Sequence, residues 1–125
     1  MKESIQTEKA PAPIGPYSQA ILAGNMLFVS GQIALIPASG ELMTADIVSE
    51  TNQVMKNIGE ILREAGMNYS NIVKTSIFLK DMNQFGQVNE TYGKYFTEKF
   101  PARETVQVSR LPKDVNVEIS VTAIK

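Results

Sequence analysis

The 125-residue sequence contains no cysteine, no histidine and no tryptophan. Without cysteine there is no disulfide, no thiolate nucleophile and no cysteine-held zinc or iron–sulfur site. Without histidine the commonest general base is missing, and with it every Ser-His-Asp arrangement and most transition-metal sites. Charge of one sign is also lacking: 12 Lys+Arg stand against 13 Asp+Glu, a net charge of -1. The basic residues are dispersed, which argues against nucleic acid as the main ligand, because such binding rests on cations clustered at phosphates. The uncharged stretch from Ala10 to Gly40 is interrupted by Pro11, Pro13, Gly15, Pro16, Gly24, Asn25 and Pro37, so it reads as turns and strands, and no membrane span is expected. Met1-Lys2-Glu3-Ser4 leads into no apolar segment, so no signal peptide is expected and the cytoplasm is the expected location. Any chemistry is left to Asp, Glu, Arg, Lys, Tyr, Ser, Thr, backbone groups and water.

With 43% hydrophobic residues and no repeat or linker, one domain over residues 1–125 is expected. Ser4 to Thr7 reads as a short edge strand, and Ala10 to Pro16 as a loop. Tyr17–Leu22 and Met26–Ser30 read as a hairpin around Gly24-Asn25. Asp46–Ala65 is the clearest helix, with Ile47, Val54, Ile58, Ile61, Leu62 and Ala65 on one stripe and Gly66 following. Ile72–Lys80 is a β-branched strand with Val73, Thr75, Ile77 and Leu79 on one face. Asp81 can cap a second helix from Met82 to about Lys99, with Met82, Phe85, Val88, Tyr92, Tyr95 and Phe96 as its apolar face. Glu104–Ser109 and Val115–Ile124 are the last strands. The order β-β-α-β-α-β-β is an α+β layout whose two helices cover one face of a sheet and leave the other uncovered.

Alternation sorts the last strand into Val115, Val117, Ile119, Val121 and Ala123 toward the helices, with Asn116, Glu118, Ser120 and Thr122 opposite. The same rule puts Val106 and Val108 on the apolar side and Arg103, Thr105, Gln107 and Ser109 on the polar side, with Glu104 facing the apolar side. A hairpin around Pro112 would bring Arg103 close to Glu118 across the pair. Two readings stay open. Arg grips a carboxylate bidentately and Glu accepts a proton from water, which would make a site. An exposed cross-strand ion pair, worth about 0–1 kcal/mol, is the plain alternative. Tyr17 in Ile14-Gly15-Pro16-Tyr17-Ser18-Gln19 reads as an ordinary packing residue. Ser30-Gly31 reads either as a strand exit or as a hydroxyl and backbone N–H presented to a ligand. Asn89 interrupts the apolar face of the second helix, as a buried hydrogen-bonding residue or a ligand contact.

Ala12-Pro13-Ile14-Gly15-Pro16-Tyr17-Ser18-Gln19-Ala20, Phe28-Val29-Ser30-Gly31-Gln32-Ile33, Val88-Asn89-Glu90-Thr91-Tyr92, Pro101-Ala102-Arg103, Val108-Ser109-Arg110-Leu111-Pro112-Lys113-Asp114 and Val117-Glu118-Ile119 occur in that order. Together they resemble the reactive intermediate deaminases, the RidA (YjgF) family, over essentially the whole chain. The resemblance implies a chorismate mutase-like α+β fold and a homotrimer with a barrel-like core, helices outside and a site in each cleft between subunits. It implies that Ser30, Gly31, Arg103, Thr105 and Glu118 line the cleft from one subunit. Tyr17 and Asn89 reach in from the neighbour, with Phe85 nearby. The implied activity is hydrolysis of 2-aminoacrylate- and 2-aminocrotonate-type enamines and their imine tautomers to 2-keto acids and ammonia. Arg103 holds the carboxylate, Glu118 positions the attacking water, and Gly31, Ser30 and Tyr17 orient substrate or solvent. No metal and no organic cofactor is implied. Two departures from the family pattern stand out: Thr105 where many members have cysteine, and Glu104 in place of a small residue. A 2-keto acid binding or regulatory module using the same clefts is the alternative. Nuclease activity, attached to some members, finds little support in a chain with no histidine and no basic patch.

Overall fold

The computed structural model describes residues 1–125. Six strands form one sheet: β1 (Lys2–Ile5), β2 (Ala20–Ala23), β3 (Met26–Gln32), β4 (Ile72–Leu79), β5 (Ala102–Gln107) and β6 (Val117–Ile124), in the spatial order β1-β2-β3-β6-β4-β5. Two helices, α1 (Ile47–Glu64) and α2 (Phe85–Gly93), lie on the same face. The α+β layout is as expected, with the first strand a separate edge strand preceding the hairpin. Gly24, at φ 64, makes the tight turn between β2 and β3. No helix is long and apolar enough to cross a membrane.

Helix α1 starts where its sequence says. Asp46 is the N-cap, its Oδ1 accepting from the Ser49 N–H at 2.7 Å. Its stripe of Ile47, Val54, Ile58, Ile61 and Leu62 is buried against Leu27, Ile77, Ile119 and Ala123 of the sheet. Helix α2 is much shorter than the expected span to Lys99. Asp81 caps only a single 3₁₀ turn, Met82–Gln84, before the α-helix begins, and Val88 and Tyr92 carry its burial. Tyr95 and Phe96 still pack on the core beyond its end, whereas Met82 and Phe85 stay exposed.

The hairpin expected between the last two strands does not form. Strand β5 pairs in parallel with β4, Thr75 opposite Arg103, and β6 pairs antiparallel on the other side of β4, Phe78 opposite Glu118. Residues 108–116 therefore cross over the end of β4 instead of turning back beside β5. Paired residues share a face of the pleat, so the phase of β4 sets that of β5. Thr75, Ile77 and Leu79 face the helices, which puts Arg103, Thr105 and Gln107 on the helix face. Glu104 and Val106 lie on the uncovered face with Ser76 and Phe78. The expected phase of β5 is inverted, because the uncovered face itself carries apolar residues, among them Phe28 and Val106. Val73 is also exposed, since the β4–β6 register shifts between Ile72 and Lys74.

Candidate active site

The expected site residues gather into two clusters. The first surrounds Glu118. This residue alternates outward from the buried Val117 and Ile119 of β6, and its carboxylate lies directly on the backbone of Gly31 in β3. A Cβ at Gly31 would run into Oε2 and stand 2.8 Å from Cδ, so only glycine admits this approach. Ile14, Tyr17, Ser30 and Pro112 complete the cleft, which continues inward along Ile33 and Leu35. Burial pushes the Glu118 carboxyl above the ordinary glutamate range. None of the four ion pairs in the chain involves it.

Two buried amides hold the walls of this cleft. Gln19, 2% exposed, donates to the carbonyls of Thr7, Ala10 and Pro11 and accepts from the Thr7 N–H at 2.7 Å. That fastens the proline-rich loop leading to Ile14 and Tyr17. Asn57 of α1 donates to the carbonyls of Ile33 and Leu35 at 3.1 and 2.9 Å. The Ser30 hydroxyl donates to the Ser18 carbonyl at 2.6 Å, so toward a ligand it offers only lone pairs. The Tyr17 hydroxyl accepts from the Ile14 N–H at 3.3 Å and keeps its own proton to give.

The second cluster surrounds Arg103, on the outermost strand and the opposite face of the sheet. Its Nη1 donates to Asn89 Oδ1 at 2.7 Å. The guanidinium carbon lies 5.7 Å from the Phe85 ring centroid and 5.4 Å from that of Tyr92. Phe85, Asn89 and Tyr92 are spaced four and three apart on α2, one helical stripe that meets the arginine. Asn89, Tyr92, Gly93, Phe100 and Pro101 line an open cleft with Arg103. One guanidinium nitrogen is occupied by Asn89, and the remaining donors are available to a carboxylate.

Arg103 and Glu118 are thus not cross-strand neighbours. Within the chain, Tyr17 lies with Ser30, Gly31 and Glu118, and Asn89 and Phe85 lie with Arg103. Thr105 shares the Arg103 face, but its hydroxyl is shut off from solvent and has no hydrogen-bond partner. Glu104 faces away from Arg103, joined to Ser76 and paired with Lys74 at 2.9 Å, contacts that hold its carboxyl below the usual range. Tyr92, which apolar patterning assigns to packing alone, lines the Arg103 cleft, and Ile14 lines the Glu118 cleft. The signal for Tyr92 is its spacing from Asn89.

A family model described as Endoribonuclease L-PSP matches residues 7–125. A RutC family protein of Pyrococcus horikoshii is 54% identical over 125 residues, covering 100% of this chain and 99% of that protein. The human 2-iminobutanoate/2-iminopropanoate deaminase is 46% identical over 125 residues, covering 100% of this chain and 91% of that protein. The crystal structure of Escherichia coli TdcF with bound serine superposes with a TM-score of 0.94 at 39% identity, over 98% of each chain. By sequence and by fold, the chain belongs to the RidA (YjgF) family, the one whose model carries the endoribonuclease L-PSP description.

Proposed function

We propose that this chain hydrolyses 2-aminoacrylate- and 2-aminocrotonate-type enamines, as their imine tautomers, to 2-keto acids and ammonia. The observation that carries the reading is Glu118: a carboxylate with no cation beside it, raised in pKa by burial and seated in a cleft with Tyr17, Ser30 and Gly31. A carboxylate of raised pKa accepts a proton from water more readily than an ordinary one. The name of the human relative supports the same chemistry. So does the serine in the TdcF structure, since serine is a three-carbon 2-amino acid, as 2-aminoacrylate is.

Arg103 grips the substrate carboxylate, with Asn89 and the two rings fixing the guanidinium plane. Glu118 takes a proton from water as the water oxygen adds to the C=N carbon and passes it to the nitrogen, giving the tetrahedral carbinolamine. Glu118 then takes the carbinolamine hydroxyl proton and delivers it to the amine nitrogen as the C=O bond forms, the C–N bond breaks, and ammonia leaves a 2-keto acid. Tyr17 and the Gly31 amide orient substrate or water. No metal or organic cofactor takes part. Imines are electrophilic enough that orientation plus one acid/base group suffices.

Arg103 and Glu118 lie on opposite faces of the sheet, which supports a site completed between copies. In the proposed assembly three chains close their uncovered sheet faces into a barrel-like, chorismate mutase-like core, one domain per chain. Each cleft takes Arg103 from one copy and Glu118 from the next. The proposed setting is the cytoplasm. The test is ammonia release from freshly generated 2-aminoacrylate. Arg103→Ala and Glu118→Ala chains are each expected to be inactive. Refolded together from a one-to-one mixture, they are expected to regain about a quarter of wild-type activity, from clefts that receive both native residues. Unchanged turnover in Arg103→Ala would overturn the deaminase reading, and inactive single variants that regain nothing on refolding together would overturn the shared cleft.

A further inference from the structure

Glu50 is the only buried residue among the Asp, Glu, Lys and Arg of the chain, with 0% exposure, and none of the ion pairs involves it. It lies in the first turn of α1, on the helix face of the sheet. Its carboxylate is held entirely by nitrogen donors at the entrance to β6. Oε2 accepts from the Asn116 N–H at 2.8 Å and the Val117 N–H at 3.3 Å, and Oε1 accepts from Asn116 Nδ2 at 2.7 Å. Burying a carboxylate with no cation is costly, and a strand entrance can have its N–H groups satisfied by water. The cost therefore points to a need for accuracy at this place.

Glu118 comes directly after Val117 in β6 and projects the other way by the alternation of the strand. Before Asn116 the chain makes a strained turn. Lys113 and Asp114 both have left-handed backbones, at φ 55 and 54, although neither is glycine. Pro112, at the start of that turn, lines the Glu118 cleft. A strained turn relaxes unless its exit is held. Glu50 provides the hold with two backbone contacts and one side-chain contact, each charge-assisted. On the far side of β6 the Glu118 carboxylate rests on the Gly31 backbone, so a shift of β6 alters that contact directly.

We infer that Glu50 is a positioning residue for the reaction: it clamps Asn116–Val117 to α1 and so holds both the Pro112 turn and the Glu118 carboxylate in catalytic register. This rests on the deaminase reading for its activity readout. Glu50→Asp withdraws the carboxylate by one methylene while keeping the charge. Glu50→Gln keeps the reach, and the Asn116 amide can turn to accept from the new NH₂. Glu50→Asp is expected to lower kcat about tenfold or more, since misplacement on the order of 1 Å is that costly. KM is expected to stay within about threefold, because Arg103 holds the substrate carboxylate. Glu50→Gln is expected to stay within about threefold of wild type in kcat. A carbon-13 titration of the Glu118 carboxyl, run on the same proteins, reads its burial without turnover. Its midpoint is expected above the ordinary glutamate range in wild type and Glu50→Gln, and lower in Glu50→Asp.

A folded Glu50→Asp protein with wild-type kcat and an unmoved Glu118 titration would overturn the inference. So would Asp and Gln variants that lose kcat only in proportion to lost folded protein. If wild type releases no ammonia, the deaminase reading fails alone. The titration then decides whether Glu50 positions Glu118: a midpoint unmoved in Glu50→Asp overturns that role, and a lowered one supports it.

Discussion

Replacing Gly31 with alanine tests the geometry of the site at its tightest point. The added methyl would run into the Glu118 Oε2 and stand 2.8 Å from its Cδ, and the three nearest atoms all belong to the Glu118 side chain. An ordinary carbon–carbon contact is about 3.5–4.0 Å, so the carboxyl has to retreat by about 0.7–1.2 Å. The backbone at Gly31 does not have a positive φ, so alanine brings no conformational strain of its own. Overpacking of a well-fitted contact costs about 1–3 kcal/mol, at the low end here because the half-buried Glu118 can swing outward. Lower entropy in the unfolded chain returns about 0.4–1 kcal/mol of that. The net change is about 0–2 kcal/mol, or at most about 10 °C in Tm for a chain of this size. Activity is far more sensitive, because a displacement of about 1 Å at the reacting group is expected to lower kcat about 100-fold. The assay pairs ammonia release with thermal unfolding. Gly86→Ala in α2, where an added Cβ meets nothing within 4 Å, serves as the comparison. It is expected to raise stability by up to about 1 kcal/mol. Wild-type turnover in a folded Gly31→Ala protein would refute the placement of Glu118 as the proton acceptor.

Glu118→Gln is expected to abolish turnover while 2-keto acid affinity, measured by calorimetry, persists. Loss of affinity without a role in turnover would instead favour a binding module. The raised pKa of Glu118 also fixes the sign of two pH effects. The folded state binds the proton more tightly than the unfolded one. Stability from the protonated form is therefore complete below the ordinary glutamate pKa and is lost as pH rises through the higher folded value. Glu118→Gln is accordingly expected to be more stable than wild type near neutrality and to lack that pH dependence, and equal melting curves at pH 4 and 7 for both proteins would refute it. The acid limb of kcat/KM in wild type is expected to fall above the ordinary glutamate pKa, checked by a pH–rate profile. Thr105→Val removes a buried hydroxyl that has no partner and is expected to raise stability by about 1 kcal/mol with turnover retained, measured by denaturant unfolding and ammonia release.

Helix α1 is legible in the sequence because an apolar stripe and the Gly66 that follows it report the same 18-residue element twice. The two faces of β6 are legible because strict alternation leaves one assignment. Strand β5 misleads for a definite reason. Its valines suggest the helix side, whereas Val106 lies on an uncovered face that is partly apolar. Helix α2 reads too long because Tyr95 and Phe96 keep the helical spacing and pack on the core after the helix has ended.

The sequence by itself determined which chemistry is available: with neither thiol nor imidazole, carboxylates, Arg, Lys, hydroxyls, backbone groups and water are what remain. The resemblance of its ordered motifs is what singles out Arg103, Glu118 and Tyr17 among them. The sequence also determined that one sheet face lies uncovered, because two amphipathic helices cover only one. Only the tertiary structure decided that β4 lies between β5 and β6, because alternation reports how one strand faces but not which strand lies beside it. That pairing puts Arg103 and Glu118 on opposite faces. Only the structure placed the Glu118 carboxylate on Gly31, an approach set by packing across strands distant in sequence. The same holds for Glu50, which reads as an ordinary first-turn acid of a helix until the fold brings it to the start of β6.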